Sequence, residues 1–285
     1  MADLELLASG YGTVEGPTVD TEGNLYFSDI LGGGVRRLSP DGRIELIVPK
    51  RKGVGGICLH RDGGVVVSGR DISHVKDGET RILLGRDDYA DLGLPYIDSY
   101  NDIHADDEGR IFAGTVMLDG QGQRLKNNML ILLTAEKKPL VLYDGFTSSN
   151  GIALDWTKQR LYHCASRDRE FIVSNKVGHD VYKIACKLPT NVVDGTPDGM
   201  ALDEEGCIWA AFYRGDCVAR FSPDGELLER IEVPAHLVTS VCFTGSDGKD
   251  LIIVTQDNTQ TPELNGCIFR TRVGVAGAPV GIATI

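Results

Sequence analysis

No two of the seven cysteines (Cys58, Cys164, Cys186, Cys207, Cys217, Cys242 and Cys267) stand in a Cys-x-x-Cys spacing. That excludes a zinc–thiolate centre. An odd, scattered set predicts reduced thiols in a reducing compartment. Long apolar runs are also missing, so no membrane-spanning helix is expected. The first residues, Met1-Ala2-Asp3-Leu4-Glu5-Leu6, are acidic and too short in apolar character for a secretion signal, which predicts a cytoplasmic protein. Basic charge is scarce: 29 Lys and Arg against 41 Asp and Glu leave a formal net charge of -12. Nucleic acid and anionic membranes reward clustered Lys and Arg, so neither is expected as the main partner. Helical periodicity never lasts beyond a couple of turns. Ser148 and Ser149 lack a nucleophile elbow, which rejects a serine hydrolase. Gly32-Gly33-Gly34 lacks the strand–turn–helix setting of a phosphate loop.

What the chain has instead is a recurring phrase. An Asp or apolar lead-in is followed by a polar, usually Gly-containing turn and then a short apolar strand. Copies begin at Val19-Asp20, His60-Arg61, Ala105-Asp106, Leu154-Asp155, Leu202-Asp203 and Gly245-Ser246. Their spacing of about 40 to 50 residues is that of four-stranded propeller blades. Between them, Arg37-Leu38-Ser39-Pro40-Asp41-Gly42 and Arg220-Phe221-Ser222-Pro223-Asp224-Gly225 read as near-twin hairpins. The 285 residues, 42% hydrophobic, suffice for a sizeable core. The expected fold is all-β: one six-bladed β-propeller domain spanning residues 1–285, with a central channel.

Three oxygen-bearing motifs precede copies of the phrase: Glu15-Gly16-Pro17, Ser149-Asn150-Gly151 and Pro197-Asp198-Gly199. Asn101-Asp102 occupies the corresponding place before a fourth copy. Asn-Gly and Asp-Gly are ordinary turn dipeptides when met alone. Equivalent positions in successive blades, however, share a radius and a height, so these side chains are expected to point into one end of the channel. Hard oxygen donors gathered there would suit Ca²⁺, Mg²⁺ or Mn²⁺, with Zn²⁺ also compatible.

The order and spacing of these motifs resemble the senescence marker protein/gluconolactonase/luciferin-regenerating family, which includes regucalcin. Asn101-Asp102, Gly109-Arg110, Ala113-Gly114-Thr115, Ser149-Asn150-Gly151, Pro197-Asp198-Gly199-Met200 and Thr239-Ser240-Val241-Cys242-Phe243 carry the likeness over nearly the whole chain. The resemblance implies a propeller with one catalytic divalent metal, most readily Ca²⁺, held by Glu15, Asn150 and Asp198, with Asn101 adjoining metal or substrate. It also implies lactone hydrolysis, with Asp198 as general base toward water and Asn101 holding the substrate. An ester or organophosphate is the alternative substrate, and a non-catalytic calcium-binding propeller the alternative of another class.

The chain departs from the family at one telling place. Sugar-lactone members commonly carry an Arg two residues before the Asn equivalent to Asn101, and here Ser99 stands there, followed by Tyr100. Without that cation the expected substrate is less polar than a sugar lactone. Asp119 falls near a further acidic sugar contact of the family. His104, after Asn101-Asp102, and His236, before the sixth blade, complete the expected substrate-facing set with Ser99.

Overall fold

The computed structural model describes residues 3–92, 96–256 and 262–285. Six four-stranded antiparallel sheets stand in a ring, as the long repeat predicted. Their inner strands are Val14–Val19, Ile57–Leu59, Ser99–Ala105, Ser149–Asp155, Thr196–Leu202 and Val238–Thr244, for blades one to six. Each of the first five blades is a simple meander running outward from its inner strand. In the sixth, the outermost strand is the N-terminal Glu5–Ala8, which pairs with Ile268–Arg272 and so joins the two ends of the chain in one sheet. Such closure leaves no unpaired route by which the ring opens. Among the described residues helix is limited to short 3₁₀ turns, and none is long or apolar enough to cross a membrane. None of the seven cysteines is disulfide-bonded.

The recurring phrase is the turn between the first and second strands of a blade, at the end of the channel away from the strand starts. In blade five, Asp203 Oδ1 accepts the Glu205 and Cys207 N–H groups at 3.0 and 2.9 Å, while the Gly206 N–H returns to the Asp203 carbonyl at 2.9 Å. In blade three, Asp106 and Gly109 repeat the arrangement. Gly109 and Gly206 take φ near 80°, a conformation that a Cβ disfavours. An aspartate thus satisfies turn amides that no strand can reach. Asp203 is buried, and its second oxygen also accepts from Trp209 Nε1 at 3.0 Å and Arg220 Nε at 2.8 Å.

Near their starts, five of the six inner strands are interrupted. The pairing register slips between Glu15 and Thr18, Tyr100 and Ile103, Ser149 and Ile152, Pro197 and Met200, and Val238 and Ser240. A bulge frees its extra residues from the ladder and re-aims their side chains. The bulges also bring neighbouring strands close together around the axis. A Cβ on Gly151 would come within 2.6 Å of the Met200 nitrogen and 2.7 Å of the Asp198 carbonyl oxygen.

Two outcomes follow for stability. Asp203→Ala removes four hydrogen bonds and leaves the Arg220 guanidinium with Glu205 alone beside a buried void, and chemical denaturation should record a loss of about 3 kcal/mol or more. Gly151→Ala forces two strands apart and should cost about 1–3 kcal/mol by overpacking. A melting temperature unchanged from wild type in Gly151→Ala would show that the strands have room to spare.

Candidate metal centre and active site

The bulges hold Asn101, Asn150 and Asp198 at equivalent points of blades three, four and five and Thr239 in blade six, while Glu15, paired with Ser28, stands directly before the bulge of blade one. Thr239 is occupied otherwise: its hydroxyl donates to the Val14 carbonyl at 2.6 Å and ties blade six to blade one. In blade two the corresponding stretch is Gly55-Gly56, and a Cβ on Gly55 would collide with Asn101 Oδ1. The missing side chain of blade two is therefore the space that Asn101 fills.

Two amides are locked together. Asn101 Nδ2 donates to the Ser149 carbonyl at 2.8 Å and to Asn150 Oδ1. Asn150 Nδ2 in turn donates to Ser166 Oγ at 2.6 Å. This chain leaves Asn150 Oδ1 on the side of Asn101 and its amide nitrogen on the side of Ser166. Behind it, His163 Nε2 and Ser149 Oγ lie 2.7 Å apart, and burial drives the His163 pKa down to about 3, so this ring is neutral. Ser149 and His163 are thus supports for Asn150 rather than a nucleophile and its base.

The carboxylates are in electrostatic tension. Burial raises the Glu15 carboxyl well above its usual range, and the charges of Asp198 and Asp102 push it further. Asp198 is raised in the same way by burial and by Asp102, with Arg124 as the opposing charge. Burial pushes Asp102 up to about 7. Among the described residues, the one hydrogen bond onto these three groups is from the Gly16 N–H to Glu15 Oε2, at 3.2 Å. Three buried carboxylates facing one arginine are short of positive charge. A divalent cation among Glu15, Asp198 and the Asn150 oxygen would supply it, and the all-oxygen donor set fits a hard ion. An acidic triplet at the opposite end of the channel, Asp106, Asp107 and Glu108, is different. There Arg110 reaches Asp106 at 2.6 Å and Glu108 at 3.0 Å, and Lys176 reaches Glu108 at 3.0 Å, so charge is already balanced.

The remaining expected residues are dispersed. Ser99 opens the blade-three strand, half-buried and opposite Val116. His104 lies further along that strand; burial lowers its pKa to about 4, and its Nε2 has no partner among the described residues. It lines a channel cavity of about 130 Å³ below the bulges, together with Asp102, Met200 and Ser240. The segment Ala278-Pro279-Val280 lines the same cavity. It belongs to a strap held by Ala278 N–H to the Leu202 carbonyl and Ala283 N–H to the Leu59 carbonyl, at 2.8 and 2.9 Å. Asp119 Oδ1 accepts the Gln121 and Gln123 amides at 2.8 Å and so caps its own turn. His236 Nδ1 pairs with Asp216 Oδ1 at 2.8 Å on an exposed rim. Sequence reasoning missed Arg124, Arg167 and Ser166. All three stand outside the repeated phrase, on connections whose positions only the closed ring determines.

Residues 13–257 match the model of the SMP-30/gluconolactonase/LRE-like region. The chain is 31% identical over 264 residues to a 6-deoxy-6-sulfogluconolactonase of Pseudomonas putida, covering 89% of this chain and 88% of that protein. It is 29% identical over 286 residues to a pentonolactonase of Haloferax volcanii, covering 90% of this chain and 89% of the other. Among solved structures, a luciferin-regenerating enzyme superposes over 100% of both chains with a TM-score of 0.86 at 23% identity, a likeness of fold. The donor motifs, the six-bladed ring and these matches agree, and the chain belongs to the SMP-30/gluconolactonase/LRE-like family.

Proposed function

We propose that this protein is a metal-dependent lactonase whose active site is the mouth of the channel, with Glu15, Asn150 and Asp198 holding one divalent cation. The observation that carries the reading is the buried trio of carboxylates, Glu15, Asp102 and Asp198, with too little positive charge around them. The two relatives named as lactonases support the reaction class. Calcium is the preferred ion, because carboxylate and amide oxygens in an adaptable ring suit its flexible coordination. When bound, such a cation polarises an ester carbonyl and stabilises negative charge as it develops on oxygen.

The chain's own residues do the rest. Asp198, held at the proposed cation site, takes the proton from the attacking water. As the water oxygen bonds to the carbonyl carbon and the ring C–O bond breaks, that proton passes to the departing ring oxygen, leaving an open-chain hydroxy acid. Asn101, pinned through Ser149 and Asn150, presents a fixed amide to the substrate. The strap through Ala278-Pro279-Val280 lines the far end of the channel, so substrate enters and product leaves at the mouth. Unpaired cysteines accord with a cytoplasmic setting.

Two measurements test this. Chelation should abolish lactone opening in a pH-stat assay, and adding back Ca²⁺ should restore it; hydrolysis that survives chelation would overturn the metal reading. Asp198→Asn keeps one oxygen donor but loses the base, and kcat should fall by about 10²- to 10⁴-fold. A metal-loaded protein that opens aryl esters or phosphotriesters but no lactone would move the substrate class. One that binds calcium and hydrolyses nothing would make this a non-catalytic calcium-binding propeller.

A further inference from the structure

The sequence has no arginine at the Ser99 position, yet the folded mouth has two from other loops. Arg124 stands on the loop after the second strand of blade three. That loop is braced: the Asp119 N–H donates to the Gln123 carbonyl at 2.8 Å and the Leu125 N–H to the Met117 carbonyl at 2.9 Å. Its base is anchored by the Met117 N–H to Asn128 Oδ1 at 2.7 Å and the Leu118 N–H to Asp98 Oδ2 at 2.8 Å. Arg167 stands in the short turn Ser166–Asp168, one residue after the serine that holds Asn150. This turn packs against the strand that carries Asp198.

These two guanidinium groups lack the close ion pairs that several other arginines of the chain make. Arg37, Arg51, Arg110, Arg220, Arg270 and Arg272 each meet a carboxylate in close ion pairs. Among the described residues, Arg124 and Arg167 meet none. Arg124 Nη1 is buried with no hydrogen-bond partner among the described residues, which is costly for a charged donor. Burial and the nearby charge of Arg167 both weaken its hold on its proton, and Asp198 offsets them in part. Arg124 is within electrostatic reach of both Arg167 and Asp198, and its unfilled buried donor is free to take an anion.

We infer that Arg124 and Arg167 form a subsite for an anionic substituent, so that the preferred substrate is a lactone bearing a carboxylate, sulfonate or phosphate in addition to the ring ester. This rests on the lactonase reading above and sharpens its substrate class, replacing the expectation of a less polar substrate drawn from Ser99. The anion completes the unfilled Arg124 donor and relieves the repulsion between the two cations. Arg167, more exposed, steers the charged group inward, an effect weakened by salt.

The test compares lactones that differ only in charge: D-glucono-lactone and its counterparts with carboxylate, sulfonate or phosphate at carbon 6. Wild type should favour one of the charged set in kcat/KM. Arg124→Gln and Arg167→Gln should each shrink that preference by about ten- to a hundredfold, mainly through KM. Arg124→Lys should recover part of it. Equal losses on charged and neutral lactones would overturn the proposal, since arginines that merely brace the mouth or hold the product carboxylate would act on both alike. Calorimetry with two open-chain acids, D-glucarate and D-gluconate, gives a readout free of turnover. The metal-loaded protein should bind the dianion more tightly, and each Gln variant should erase the margin. Selective dianion binding without turnover of any lactone would leave the subsite standing and remove the lactonase reading. Turnover with no preference for charge, in either assay, would do the reverse. Arg167 is exposed, so its variant decides the matter even where Arg124→Gln fails to fold.

Discussion

Everything at the channel mouth depends on a break in the β-ladder repeated around the axis. A regular inner strand would alternate its side chains between the two faces of its blade, and none would aim along the axis toward the others. The bulges release Asn101, Asn150 and Asp198 from pairing at equivalent heights, and Glu15 stands at the edge of the bulge in blade one, still paired with Ser28. Glycine is what lets neighbouring bulges approach, as the tight space around Gly151 shows. The two blades that offer no donor are informative too. Blade two withdraws its side chain at Gly55 to admit Asn101, and blade six spends Thr239 on closing the ring. A six-fold repeat thereby yields an asymmetric mouth, with polar side chains from four blades and none free from blades two and six.

That geometry imposes an electrostatic demand. Desolvation is the first cause of the raised pKa of Glu15, Asp102 and Asp198, and their mutual repulsion adds to it in Glu15 and Asp198. Carboxylates arranged to stabilise the metal-free protein would be expected to resemble Asp203, which is still more buried but meets Arg220, Trp209 and turn amides. The contrast between Asp203 and Asp198, in the same blade and at opposite ends of one strand, separates a carboxylate used for architecture from one left under tension. Tension of this kind persists only where the surrounding structure is stable enough to hold it.

How much of this was legible in the chain follows from the same distinction. The propeller could be read because its turn chemistry is local: an aspartate and a glycine three residues apart make the turn wherever they occur, and the period of the phrase counts the blades. The placing of Glu15, Asn101, Asn150 and Asp198 at one end of the channel could be read because the repeat assigns each a place before a copy of that phrase. Asp119 and His236 could not be read correctly from position alone, since the first caps its own turn and the second pairs with Asp216 on the rim. Arg124 and Arg167 left no signal at all. They come from connections of different blades, near nothing in sequence that suggests a shared target, and only ring closure brings both beside Asp198.

The split between legible and illegible residues is therefore also a split in function. Groups proposed to hold the cation ride on strands, where bulge, glycine contact and amide chain fix them closely, as pre-organised chemistry requires. Groups proposed to read the substrate ride on loops, which change length and charge without disturbing the ring. The exchange of a family arginine for Ser99, with guanidinium groups supplied instead from the loops of blades three and four, is what such a division permits. A cation lost from the strand is recovered from the rim, and the position from which it returns determines where on a substrate the complementary charge must lie.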